Sequence, residues 1–347
     1  MGRIGLRFLF VKKYNCTSDA ELRTLKGPFL VISNHVTNYD PFFICDAFHE
    51  QLSYVASEHI LQKGFLSRLM MWLVDVIPIT KGKTALKTTR AMVDRLKSGT
   101  SVVVFPEGNR TFNGITMPVD SSCGKIAKLA GVPLVITRFE GGYFTQPRWS
   151  KTKRKGKIHL YLSKVYSPEE IKGMSDEELS KAINDGIYEN AFETQKRLHI
   201  PFVGEDLAYG MESTLFMCPS CGKVGTMHTD SNHIFCSDCG FKAEYNEYGE
   251  LIGDEKCPKD IAAWDVWQKQ KLLETGIKEF DDDVEIFEVD ENHEQKKIYE
   301  GKFKVPDDIE GVAVYARNVL VIHAGGRHLE VKGNDSFSAL KYYYIFS

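Results

Sequence analysis

Phe29-Leu-Val-Ile-Ser33 runs directly into Asn34-His35-Val-Thr-Asn-Tyr-Asp40-Pro41, and Ser101-Val-Val-Val-Phe105 runs into Pro106-Glu107-Gly108-Asn109-Arg110-Thr111. Each is a short apolar run that stops at a cluster of polar residues. Continuous apolar runs of this length, bounded by turn-formers, read as strands buried on both faces, the kind found in parallel sheets. Ser53 to Ala56, Pro133 to Arg138 and Ile158 to Lys164 have the same character. Between them, residues 84–97 place Leu86, Met92, Val93 and Leu96 near helical spacing, and Cys123 to Ala130 read as a short helix ended by Gly131. Ser167-Pro-Glu-Glu and Ser175-Asp-Glu-Glu predict capped helix starts, the second opening a helix that reaches about residue 198. This alternation predicts an α/β fold, a central and mostly buried sheet flanked by helices.

The polar clusters carry the candidate chemistry. His35 falls in the loop after a buried strand, and ligand sites of open α/β sheets gather at the carboxyl ends of strands. A neutral imidazole accepts a proton from an attacking hydroxyl near pH 7 when a carboxylate fixes its tautomer, and Asp40, five residues on, is placed to do so. Arg110 offers a planar fork suited to phosphate, and Gly108 suits close backbone approach to a ligand. Ile77-Pro-Ile-Thr-Lys81-Gly-Lys83 supplies a further basic pair in a loop. A His-x4-Asp pair or a Pro-Glu-Gly turn alone is common by chance. Their succession, each after an apolar strand, is not.

These stretches, with Gly131-Val-Pro-Leu-Val-Ile136, closely resemble the glycerophospholipid acyltransferase family typified by 1-acylglycerol-3-phosphate acyltransferase, over roughly residues 25–165. The resemblance implies a glycerolipid acyltransferase fold and transfer of a fatty acyl group, from acyl-CoA or acyl-carrier protein as co-substrate, to a lysophospholipid hydroxyl in phospholipid biosynthesis. It implies His35 as general base oriented by Asp40, and acceptor phosphate bound by Glu107, Gly108 and Arg110, with Lys81 nearby. Family members often have Arg where this chain has Lys81 and Thr where it has Asn109. The competing reading is a non-catalytic lipid- or nucleic-acid-binding adaptor.

Net charge is −3, with 44 Lys plus Arg against 47 Asp plus Glu, so no global basic field marks a nucleic-acid binder and nucleic acid is not an expected partner. The expected partners are a lysophospholipid, an acyl thioester and a membrane surface. Phe65 to Ile77 is the most apolar stretch, but Arg68 and Asp75 interrupt it and it is shorter than the roughly 20 residues a bilayer span needs. It reads as a helix that packs in the core or dips into an interface. Residues 1–13 and the basic run 148–157 are the other candidate contacts, and the expected location is cytoplasmic, peripheral at the inner face of a membrane.

Cys218-Pro-Ser-Cys221 and Cys236-Ser-Asp-Cys239 give C-x2-C-x14-C-x2-C, the spacing of a zinc ribbon. Four thiolates leave no open position on Zn2+, so the metal is expected to be structural, and His228 and His233 are spare. The expected organisation is an acyltransferase domain over 1–205, the ribbon over 213–245, a linking helix over 259–277 and a β-rich module of unknown role over 278–347. Gly325-Gly326 predicts a hairpin turn there.

Overall fold

The computed structural model describes residues 11–57, 75–79, 85–277, 280–290, 294–334 and 337–346. The chain divides into two compact units, Met1–Thr145 with Lys155–Ile200, and Gln146–Arg154 with Pro201–Ser347.

The first unit has the elements β1 (Cys16–Ser18), β2 (Leu30–Ser33), α1 (Asp40–Phe48), β3 (Leu52–Ser57), β4 (Asp75–Ile79), α2 (Ala85–Lys97), β5 (Ser101–Val104), α3 (Ser122–Ala130), β6 (Leu134–Glu140), α4 (Gly142–Thr145), β7 (Ile158–Tyr166), α5 (Pro168–Gly173), α6 (Asp176–Ile187) and α7 (Ala191–Leu198). One sheet in the order β1-β7-β6-β2-β5-β3-β4 organises it. The strands from β6 to β4 are parallel, and β7 runs antiparallel to β6. Because side chains alternate along a strand, Val31, Val103 and Val135 enter one core with α1, while Leu30, Ile32, Val102, Val104 and Ile136 enter another with α3 and α6. All four residues of β2 are buried. Its uninterrupted apolar run is thus the signature of a strand covered on both faces.

Both expected capping boxes form, at Ser167 with Glu170 and at Ser175 with Glu178, and Gly131 ends α3 in the left-handed region at φ +69°. Two helical expectations change. The helix over 175–198 breaks at Tyr188-Glu189-Asn190, where Asn190 caps α7 by accepting the Phe192 and Glu193 amides at 3.1 and 3.3 Å. The end of the apolar stretch 65–77 is strand: β4 pairs in parallel with β3, Val76 opposite Tyr54. β-branched Val76 and Ile77 favour that state, Ile77 is held extended by the following proline, and Pro78 is tolerated because β4 is an edge among the described residues. Residues 65–74 of that stretch lie outside the described residues, as do residues 1–10 and Lys81. Among the described residues no helix is long and apolar enough to cross a membrane.

The second unit holds β8 (Met227–Asp230), β9 (His233–Cys236), β10 (Lys242–Tyr245) and β11 (Leu251–Ile252) in one antiparallel sheet, then α8 (Ile261–Thr275), β12 (Asp283–Val289), β13 (Gln295–Lys302), β14 (Ile309–Ala316), β15 (Val319–Ala324), β16 (Arg327–Gly333) and α9 (Ala339–Phe346). The last five strands form a sheet in the order β13-β12-β16-β15-β14, open at β13 and β14 among the described residues, so the expected β-rich module is present. Gly325 and Gly326, at φ +54° and +71°, turn β15 into β16. The final aromatic stretch is helical. It is fastened by Tyr342 Oη donating to Asp282 and Tyr344 Oη donating to Asp265, both at 2.6 Å.

The basic run 148–157 is not a free loop. Trp149 and Arg154 are buried, with the Arg154 guanidinium 5.0 Å from the Trp149 ring, and Arg148 donates to the Val314 and Tyr315 carbonyls. Packing has consumed charge that sequence alone assigns to solvent. Lys153, Lys155 and Lys157 remain exposed.

Candidate active site

β2 lies between β5 and β6, with Ile32 opposite Val104 and Ser33 opposite Thr137, so the loops after β2 and β5 leave neighbouring positions on the same sheet edge. His35 and Asp40 come from the first loop, Glu107, Gly108 and Arg110 from the second. The α-carbon path thus joins two motifs some 70 residues apart.

The imidazole is held from three sides. Its Nδ1 lies 2.8 Å from Asp40 Oδ2, its ring stacks on Phe105 with centroids 4.5 Å apart, and its backbone N–H donates to Glu107 Oε1 at 2.8 Å. A carboxylate only accepts, so Nδ1 carries the hydrogen and Nε2 keeps its lone pair. Asp40 is fully buried, whereas the His35 side chain is 22% exposed. Burial of a carboxylate is costly unless donors surround it. Asp40 has them: Val36 N–H at 2.7 Å, Thr37 N–H at 3.0 Å and Thr37 Oγ1–H at 2.5 Å, besides the imidazole.

The second loop folds onto the first. Glu107 Oε2 accepts the Met117 amide at 3.0 Å, Thr111 N–H donates to the His35 carbonyl at 3.2 Å, and the Thr111 hydroxyl donates to the Ile115 carbonyl at 2.7 Å. Burial pushes the Glu107 carboxyl up to about 7, against the lowering effect of the two amides it accepts. Gly108 has φ +69° and open space where a Cβ would sit, so backbone conformation, not close approach of other atoms, calls for glycine there. Arg110 is largely buried. Burial pushes its pKa down while the negative charge of Asp40 pushes it up, and a guanidinium stays cationic throughout.

Thr37, Phe105 and Asn34 were not singled out from sequence. Thr37-Asn-Tyr-Asp40 does carry a signal, the Ser/Thr-x-x-Asp pattern in which an acidic side chain reaches back to the amide three residues earlier. Phe105 had none beyond ending a strand.

In the second unit, the sulfurs of Cys218, Cys221, Cys236 and Cys239 all lie within 4.8 Å of one another, and His228 and His233 are not of the group. The two knuckles match. Gly222 N–H donates to the Cys218 carbonyl and Cys218 N–H to the Lys223 carbonyl; Gly240 and Phe241 repeat this around Cys236. Gly222 and Gly240 take φ +74° and +76°, the left-handed conformation that closes each turn. Cys218 to Cys239 is 3.6 Å and Cys221 to Cys236 is 3.9 Å. A tetrahedron with metal–sulfur bonds of about 2.3 Å has edges of about 3.8 Å, so the four thiols fit such an ion.

Residues 13–138 match the family model described as Acyltransferase. The chain is similar to 1-acyl-sn-glycerol-3-phosphate acyltransferase of Pseudomonas aeruginosa, 30% identical over 127 residues that cover 36% of this chain and 49% of the relative. It is 28% identical over 142 residues to the probable 1-acyl-sn-glycerol-3-phosphate acyltransferase of Mycoplasma pneumoniae, covering 38% and 52%. The crystal structure of the 1-acyl-sn-glycerophosphate acyltransferase from Thermotoga maritima superposes with a TM-score of 0.44 at 22% identity, covering 53% of this chain and 76% of that one. The chain spans about half the length of the curated relatives it matches.

Proposed function

We propose that this chain, whose residues 13–138 match the Acyltransferase family model, moves a fatty acyl group from acyl-CoA or acyl-carrier protein to the free hydroxyl of a lysophospholipid, with 1-acylglycerol 3-phosphate as the leading acceptor. The observation that supports it most directly is the His35–Asp40 pair, with Nδ1 committed to a buried, four-donor carboxylate and Nε2 available for a proton.

In this reading the acceptor hydroxyl gives its proton to His35 Nε2 as its oxygen bonds to the thioester carbonyl carbon. The C–S bond then breaks, and the thiolate leaves with that proton. Asp40 stabilises the imidazolium formed in between, and general-base help of this kind contributes roughly 10²- to 10⁴-fold. Arg110 is the candidate phosphate anchor. Its guanidinium is desolvated, which strengthens its field on a bound anion. Lys81 remains a second candidate. Glu107 works through backbone: its two oxygens are engaged by the His35 and Met117 amides, so it sets the distance between the loops and leaves the phosphate to cations and N–H groups.

Cys218, Cys221, Cys236 and Cys239 are proposed to hold one structural Zn2+. The ion would supply folding stability to a small sheet of four short strands. The lipid nature of acceptor and product requires work at a bilayer surface, and residues 1–13 and 65–74 are the segments proposed to reach it.

The decisive assay offers labelled acyl-CoA to the purified chain with lysophosphatidic acid and other lysophospholipids, beside His35→Ala. Transfer to lysophosphatidic acid that the variant lacks is expected. No transfer to any acceptor, or equal transfer by the variant, removes the reading.

A further inference from the structure

We infer that Glu189 is a positioning residue of the transfer reaction: its buried carboxyl holds the side-chain amide of Asn34 and so fixes the backbone from which His35 projects. This rests on His35 being the base. Glu189 lies in the break between α6 and α7, beyond the 13–138 match. It is 4% exposed, and its carboxyl accepts the Gly141 amide at 3.0 Å and the Asn34 side-chain amide at 3.4 Å.

Asn34 explains why this matters. Fully buried, it donates to the Phe139 carbonyl at 3.0 Å and accepts the Phe139 N–H at 2.7 Å, extending the β2–β6 ladder past Ser33 with a side chain in place of backbone. That pairing fixes which end of the amide is nitrogen, and its second N–H points to Glu189. On the next residue, Glu107 takes the His35 backbone N–H. The Asn34-His35 segment is therefore held by two carboxyls, one buried and one part-buried, from two different parts of the chain.

Glu189 also ties the second loop. Its N–H donates to Thr116 Oγ1 at 3.0 Å and its carbonyl accepts the Thr116 N–H at 2.9 Å, one residue before the Met117 amide that Glu107 accepts. A carboxyl serving the fold alone would be expected anywhere in the core. This one bonds to the residue before the base, while the backbone of the same residue holds the loop of the candidate phosphate anchor. A misplacement of about 1 Å at a reacting group can cost on the order of 100-fold in rate.

The test uses the full chain, acyl-CoA and lysophosphatidic acid, with Glu189→Ala, Glu189→Gln, Asn34→Ala, the double variant Glu189→Ala/Asn34→Ala, and His35→Ala. Glu189→Ala is expected to lower kcat at least tenfold with both KM values within threefold of wild type. Glu189→Gln, which keeps one acceptor oxygen for the two N–H donors, should recover part of the loss. The double variant should be no slower than the slower single variant. A kcat for Glu189→Ala within twofold of wild type, losses that multiply in the double variant, or a change confined to KM would overturn the inference. Should Glu189→Ala fail to fold, Asn34→Ala must show the same kcat-selective loss, and an unchanged kcat there overturns it equally. Activity retained in His35→Ala instead removes the base assignment beneath it, so the two failures are told apart.

Discussion

Glu107 Oε1 accepts the backbone N–H of His35 at 2.8 Å, across 72 residues of sequence, while Oε2 of the same carboxyl accepts the Met117 amide at 3.0 Å. One side chain therefore joins the two loops at the sheet edge. Glu107→Ala leaves two part-buried amides without acceptors, at roughly 1 to 3 kcal/mol each. A loss of about 3 kcal/mol in unfolding free energy is expected by urea titration, together with a fall in kcat. A stable variant with normal kcat would show that the bond is dispensable.

The same burial sets a pH dependence. Glu107 is pushed up to about 7 and Glu189 to about 8, in both cases first by burial, from an ordinary value of 4.5. Here the folded state holds the proton more tightly than the unfolded one. The contribution to stability is therefore full below about pH 4.5 and is lost as pH rises toward 7 to 8. Glu189→Gln cannot titrate, so its Tm relative to wild type should climb between pH 5 and pH 9. A difference that stays constant across that range contradicts the assignment.

Asp40→Asn keeps the shape of the side chain but places an NH2 or a neutral oxygen where Val36, Thr37 and His35 all donate. The imidazole loses both its tautomer control and its counter-charge. Initial rates of CoA release should fall by at least about 100-fold, with KM for the acceptor little changed. A variant within threefold of wild type would argue that His35 is oriented by Phe105 and backbone alone.

For the cysteine cluster, elemental analysis of the purified chain is expected to find one zinc per molecule, and Cys218→Ser to lose it. The second unit should then melt at lower temperature or stay unfolded. Acyl transfer at a temperature below that transition should persist within about twofold, because a four-thiolate site has no position open to substrate. Metal-free wild-type protein with unaltered melting would exclude a structural ion.

Much of this site was legible beforehand for identifiable reasons. A strand covered on both faces must be apolar at every position, so β2 and β5 announced themselves as Leu30–Ser33 and Ser101–Val104, and their polar ends followed at once. Capping boxes and cysteine knuckles are also local, fixed by three or four consecutive residues. The edge strand β4 was missed because an apolar run ending in Val-Ile-Pro-Ile carries no period that separates strand from helix, and only pairing with β3 decides between them.

The basic run 148–157 marks the other limit. Its composition marked it as a candidate membrane contact, yet Trp149 and Arg154 are buried against each other, an outcome that depends on partners such as Leu207 and Tyr245 far along the chain.

By itself, then, the sequence picked out the candidate residues: the His35–Asp40 pair, the Glu107 to Arg110 turn and the four cysteines, each confined to a short stretch whose spacing limits its geometry. Tertiary structure alone decided what holds them. That Glu107 serves backbone, that Asn34 extends a ladder, and that Glu189 meets Asn34 from 155 residues beyond it follow from hydrogen bonds between distant segments. Buried polar groups must be paired, but which partner each one finds is set by how the strands are ordered in the sheet, and no local pattern encodes that order.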